Sequence, residues 1–146
     1  MFGFFKKKNG NAKKEVRRNP EIAIARKYLE SIHSTHSYLY GEQPFHYIET
    51  STKGDFKRYL FYQGLDKRRI YVVLSDQERN EITKAFKKRM GDSYVYQDTI
   101  LSSLTGNVIQ HRFYRPGVLN TSITFMTDEG KIWGGNFAQD EDMFDF

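Results

Sequence analysis

The stretch Gln110-His111-Arg112-Phe113-Tyr114-Arg115 holds the parts a metal-independent ribonuclease uses: a histidine to move a proton, arginines to hold phosphate, and a tyrosine. Such chemistry requires these groups to converge on one phosphate. In a β-strand His111 and Arg112 project to opposite faces, so they meet only where the strand ends or bulges. His111 then shares a face with Ile109 and Phe113, which reads as core. Arg112 shares a face with Val108, Gln110 and Tyr114, which reads as partly solvated. A small nuclease or hydrolase around His111 and Arg112 would need further residues brought in from elsewhere. No catalytic residue is assigned.

Two other histidines, His33 and His36, stand three apart at helical spacing. A metal site needs third and fourth ligands and an ordered surround, and none is in view. A core histidine satisfied by a hydrogen bond is the simpler account, so neither a metal nor a cofactor is expected. Gly-x-Ser-x-Gly, the Walker loop and His-Glu-x-x-His are all absent. In Trp133-Gly134-Gly135-Asn136 the glycines sit inside a strand pattern, where a bulge or a close backbone approach is expected. Asp128 and Glu129 read as a solvent-facing pair in a tight turn.

The elements that must position these residues follow from periodicity and punctuation. A helix is expected over 20–40, with Asn19 as N-cap, Pro20 in the first helical position and Gly41 as stop. Its apolar arc is Ile22, Ala25, Leu29, Ile32, His36, Leu39 and Tyr40. Strands follow over 45–50, 56–63 and 69–74, the first two joined through the turn-like 51–55. Ser75 with Glu78 three residues on marks a capping box that opens a second helix, running to Met90 before Gly91. That helix has a thin apolar side (Ile82, Ala85, Phe86, Met90) and belongs at the surface. Residues 92–107 fit helix or strand equally, with Tyr94-Val95-Tyr96 strand-like. Strands resume over 108–114, 121–127 and 131–137, with Gly130 suited to a left-handed turn position. The fold class is α+β: a mainly antiparallel sheet of about five to six strands with two helices on one face, in the order α-β-β-β-α-β-β-β.

At 146 residues the chain fits one domain, and it contains no cysteine, which excludes thiolate zinc sites, thiol nucleophiles and disulfides. Its net charge of +5 is unevenly placed. Residues 1–18 carry seven Lys or Arg against one Glu, so a flexible basic N-terminal arm is expected there. Residues 139–146 form an acidic tail of net −4, and 19–138 form a near-neutral single domain. No apolar run reaches the length of a membrane span, and the apolar and basic parts of the start are in the wrong order for a secretory signal. A cytoplasmic location is expected. Phe4 and Phe5 beside Lys6, Lys7 and Lys8 also suit weak peripheral contact with an anionic membrane, or phosphate.

Over 20–90 the order helix, three strands, helix is similar to that of double-stranded RNA-binding domains. The likeness stops at topology, because the first turn of the second helix is Asp76-Gln77-Glu78, where that family is basic. Lys84, Lys87 and Lys88 come later, on the outward arc, and with Lys67-Arg68-Arg69 offer a phosphate-binding patch. Aromatic residues make up 16% of the chain, and Tyr59, Phe61, Tyr62 and Tyr71 make two strands bulky on both faces. An aromatic second face is a candidate surface for another protein. The leading expectation is thus a non-catalytic protein-binding module of the inhibitor, toxin-immunity or regulatory-adaptor kind. Nucleic-acid binding through the arm and second helix comes second, and hydrolysis around His111 and Arg112 third.

Overall fold

The computed structural model describes residues 19–35, 43–102, 108–117 and 122–136. The basic arm with Phe4, Phe5, Lys6, Lys7 and Lys8, the acidic tail and His36 all lie outside the described residues. The chain divides into two compact units, Met1–Glu42 and Gln43–Phe146. In the first, helix α1 spans Pro20–Thr35. The Asn19 side-chain oxygen accepts from the Glu21 amide at 3.1 Å, as its place ahead of Pro20 requires. Ile22, Ala25, Leu29 and His33 fall at helical spacing on one face, and all four are buried.

The second unit is a seven-stranded antiparallel sheet in the sequential order β1-β2-β3-β4-β5-β6-β7. The strands are β1 Phe45–Lys53, β2 Phe56–Gln63, β3 Asp66–Leu74, β4 Val95–Ser102, β5 Val108–Tyr114, β6 Ser122–Thr127 and β7 Ile132–Asn136. Helix α2, Asp76–Met90, lies between β3 and β4. The α+β class and the alternation of helices and strands are as expected, and the ambiguous stretch supplies one more strand, β4. The first hairpin is tighter than expected. Thr50 and Thr52, β-branched and suited to a pleated strand, extend β1 to Lys53, which pairs directly with Phe56. Gly54, at φ 58°, is left to turn the chain. Among the described residues, no helix is long and apolar enough to cross a membrane.

Capping sets both ends of α2. The Ser75 hydroxyl accepts from the Glu78 amide at 3.2 Å. Gly91, at φ 93°, ends the helix by donating to the Lys87 carbonyl at 2.8 Å. β3 and β4 pair only through Arg69–Tyr71 against Ile100–Ser102, so they part towards the end where α2 leaves and returns. The helix inserts Phe86 against the face of β5 and β6 that carries Phe113 and Met126. The rings of Phe86 and Phe113 stack at 3.8 Å between centroids, and Tyr94 and Tyr96 close round them edge-on.

Along β2, β3 and β5 the strands bury side chains on both faces. Phe86, Phe61, Ile100, Phe113 and Phe125 are fully enclosed. Burying a Phe side chain contributes about 1.5–3 kcal/mol, and truncation adds a cavity cost. We therefore expect Phe86→Ala to lose about 3–5 kcal/mol in urea unfolding. Leu65→Ala, at a side chain 92% exposed, should change stability by no more than about 0.5 kcal/mol. Equal losses at the two positions would contradict this packing.

Candidate functional site

The strand register explains which side chains meet. On β2, Arg58, Leu60 and Tyr62 share one face, while Tyr59 and Phe61 share the other. Arg58 lies opposite Leu74, the last residue of β3, one residue before the cap of α2. Its guanidinium reaches two carboxylates at once. Nε donates to Glu78 Oε1 and Oε2 at 3.2 and 3.1 Å, and Nη2 to Oε2 at 2.6 Å. Nη1 and Nη2 donate to Asp128 Oδ2 and Oδ1 at 3.2 and 3.1 Å. Glu78 comes from the first turn of α2 and Asp128 from the turn between β6 and β7.

Four ladder steps separate β2 from β6, roughly 19 Å across a flat sheet. That exceeds the combined reach of an arginine and an aspartate. The contact therefore requires the sheet to curl, bringing the β1–β2 end towards the β6–β7 turn. Register shifts at Tyr47/Glu49, Tyr62/Gln63 and Tyr96/Asp98 supply local bends.

His111 joins the same network. Its Nε2 lies 2.7 Å from Asp128 Oδ1 and its Nδ1 2.9 Å from Thr99 Oγ1, which in turn contacts the Tyr96 hydroxyl at 2.5 Å. Lys53, at the end of β1, places Nζ 3.3 Å from Asp128 Oδ2. Burial alone would raise the Asp128 carboxyl. Hydrogen bonds from His111 and Arg58, and the positive charge nearby, overcome this and hold it well below the ordinary 3.8. Burial likewise disfavours charged Arg58, but Glu78 and Asp128 more than compensate and raise its pKa above the ordinary guanidinium value.

The network floors a pocket of about 510 Å³ between α2 and the tips of the two hairpins. Ile82 and Ala85 of α2, Phe56 of β2 and Met126 of β6 form its apolar walls. Glu78, His111 and Asp128 lie at its base, and Lys53, Glu81 and Glu129 at its edge.

Set against the sequence, the structure redistributes the candidate residues. His111 is core, only 1% exposed, as its face suggested. Arg112 is not partly solvated: it is fully buried, and its Nε and Nη2 grip Asp98 Oδ1 and Oδ2 at 2.5 and 2.7 Å. The two residues point to opposite faces and do not converge. The turn pair splits, Glu129 facing solvent and Asp128 drawn into the network. Tyr59, Phe61, Tyr62 and Tyr71 are all buried, and Tyr62 faces away from the other three. Their rings fill the interior rather than forming a surface.

Lys84 and Lys88 are exposed on α2 and Lys87 is half-buried there, while Arg68 is tied to Asp66 at the start of its own strand, β3. Gly134 makes the close approach expected of it, since a Cβ there would sit 3.2 Å from Thr124 Oγ1. Among the described residues, no group of three or more His, Asp or Glu side chains is arranged to hold a metal. Sequence reasoning missed Arg58, Glu78 and Lys53. The one available signal was an arginine on the same strand face as Leu60 and Tyr62. No family model, curated protein or solved structure matches the chain.

Two outcomes test the network. Asp128→Asn should cost roughly 1.5–3 kcal/mol near neutral pH. The Asp128 carboxyl is lower in the folded than in the unfolded chain, so as pH falls the unfolded chain protonates first. The stabilisation is thus whole above about pH 5 and is lost as pH falls through and below the ordinary carboxylate value. Chemical denaturation should show the gap between wild type and Asp128→Asn narrowing between about pH 5 and pH 3. For the second ion pair, Asp98→Leu alone should lose about 3–5 kcal/mol, and Asp98→Leu with Arg112→Met should recover most of it.

Proposed function

We propose that this chain is a non-catalytic protein-binding module, of the inhibitor, toxin-immunity or regulatory-adaptor kind, that engages its partner through the pocket between α2 and the hairpin tips. The observation that carries this reading is the saturation of the pocket's base. Both ring nitrogens of His111 have partners, and the Arg58 guanidinium is shared between two carboxylates. A general base has to reach a substrate proton or a hydroxyl open to substrate, and the hydroxyl His111 holds, on Thr99, is buried and does not line the pocket. A phosphate clamp needs uncommitted N–H donors. The base of the pocket supplies neither in this arrangement.

The pocket also has the dimensions of a recognition site, since ligand clefts run from about 300 to 1,000 Å³ with mostly apolar walls and a few polar groups. Its walls stand on a capped helix and two tight hairpins, which hold a binding surface in shape before a partner arrives. Lys84 and Lys88 on the outer side of α2 favour phosphate instead, and with the basic arm they sustain nucleic-acid binding as the second reading.

Capture from host lysate separates these readings when run beside Ala85→Arg, which places a long side chain at an exposed position on the pocket wall. The expected result is a protein retained by the wild type, lost by Ala85→Arg, and weakened less than about tenfold between 50 and 200 mM salt. Phosphate-driven binding through 6–10 contacts falls roughly 10³–10⁵-fold over that range. Recovery of nucleic acid alone, released by moderate salt and indifferent to Ala85→Arg, would overturn the proposal.

A further inference from the structure

We infer that the group this pocket seats is a cationic side chain of the partner protein, an ammonium or guanidinium on an apolar stem, and that Lys53 competes with it from within; this rests on the reading of the pocket as the partner site. Charge complementarity selects the occupant. The inner carboxylates, Glu78 and Asp128, are already matched by Arg58 and Lys53. Glu81 and Glu129 at the edge are exposed, and neither has an ion-pair partner among the described residues. Arg89, which donates to the Gly130 carbonyl beside Glu129, offsets one of these two charges, and the charge left over that a ligand meets on entry is negative. An incoming carboxylate or phosphate would face like charge, which is costly at an interface. Between edge and base lie Phe56, Ile82 and Met126, suited to the methylenes of a lysine or arginine whose head stays with the carboxylates.

Lys53 is the second, independent observation. Its side chain is 48% exposed, and Nζ sits 3.3 Å from Asp128 Oδ2 and 3.5 Å from the Asp128 carbonyl oxygen. An ammonium thus already fits at the mouth of this pocket. It stands on the last residue of β1, next to the Gly54 turn. A cation arriving from a partner meets the same oxygens and has to share or displace that ammonium.

The test uses the full-length, ¹⁵N-labelled chain and three capped peptides of alanine-leucine-X-leucine-alanine, where X is lysine, norleucine or glutamate. Binding is read from the amides of Glu81, Glu129 and Gly130, with Gly64 as a remote control. The lysine peptide should bind up to about fivefold tighter than the norleucine peptide, and the glutamate peptide should not bind. Lys53→Met should tighten the lysine peptide about two- to fivefold by removing the internal competitor. Glu81→Gln with Glu129→Gln should erase the preference for lysine over norleucine while leaving the melting temperature in place.

Norleucine or glutamate binding as tightly as lysine would overturn the cation inference while leaving the pocket as a binding site. Weaker binding of the lysine peptide to Lys53→Met would overturn the role given to Lys53. If none of the three peptides moves the pocket amides at millimolar concentration, the partner-site reading falls as well.

Discussion

The curl of the sheet depends on one guanidinium. Arg58 is buried on the inner face of β2 and is shared by a carboxylate from the first turn of α2 and one from the β6–β7 turn. Breaking such a pair on one side leaves a buried charge uncompensated, at a cost of about 3–5 kcal/mol. The three segments it joins are therefore held as a unit, although 70 residues separate Arg58 from Asp128. An aliphatic residue of similar size would fill the same space at no desolvation cost. What it would not supply is direction, because a planar fork with five donors fits its two carboxylates in very few arrangements. The ion pair sets where the helix start and the distant turn sit, and the aromatic core beneath supplies most of the binding free energy of the fold.

That core accounts for the aromatic richness of the sequence. Phe61, Phe113 and Phe125 are enclosed and Tyr59 and Tyr71 nearly so, which makes these rings of β2, β3, β5 and β6 interior. Side chains on adjacent positions of one strand go to opposite interiors, which is why β2 carries Tyr59-Leu60-Phe61-Tyr62 without a polar break. Bulk on both faces is thus the mark of a strand buried on both faces. The same reasoning gives Arg112 and Asp98 their place: a bidentate pair between neighbouring strands lets two charges occupy positions that the packing would otherwise reserve for apolar groups.

How much of this the sequence made legible depends on how local each cause is. Asn19, Ser75, Gly91 and Gly130 act within a few residues of themselves, and each does what its type and position imply. The same holds for the runs of bulky residues that mark β2, β3 and β5 as strands. β4 escaped because Gln97, Asp98 and Thr99 are all buried, so polarity gave no period there. Their compensation lies on β5, with Arg112 14 residues from Asp98 and His111 12 residues from Thr99. The pocket escaped for the same reason on a larger scale. Neither the Glu78-Arg58 nor the Asp128-Arg58 relation leaves a spacing pattern, and Asp128 beside Glu129 is indistinguishable by type from a solvated turn pair. A charged residue in register with Leu60 and Tyr62 was the only local trace.

The split between Asp128 and Glu129 also decides where selectivity can reside. Asp128 keeps its buried His111 and Arg58 contacts whatever becomes of the half-exposed Lys53, so Asp128 and Glu78, with Arg58 behind them, act as a rigid floor. Groups at the edge, half in water and held by one contact or none among the described residues, rearrange at little cost. Recognition then follows from the difference between the two layers. The floor fixes the shape and depth available to an apolar stem, and the edge sets the sign of the charge admitted. Screening limits the reach of that edge to about 8 Å at physiological salt, so it sorts ligands on contact and steers them little from afar. A substitution in the floor would thus be read first as lost stability, and one at the edge as altered choice of partner with the fold intact.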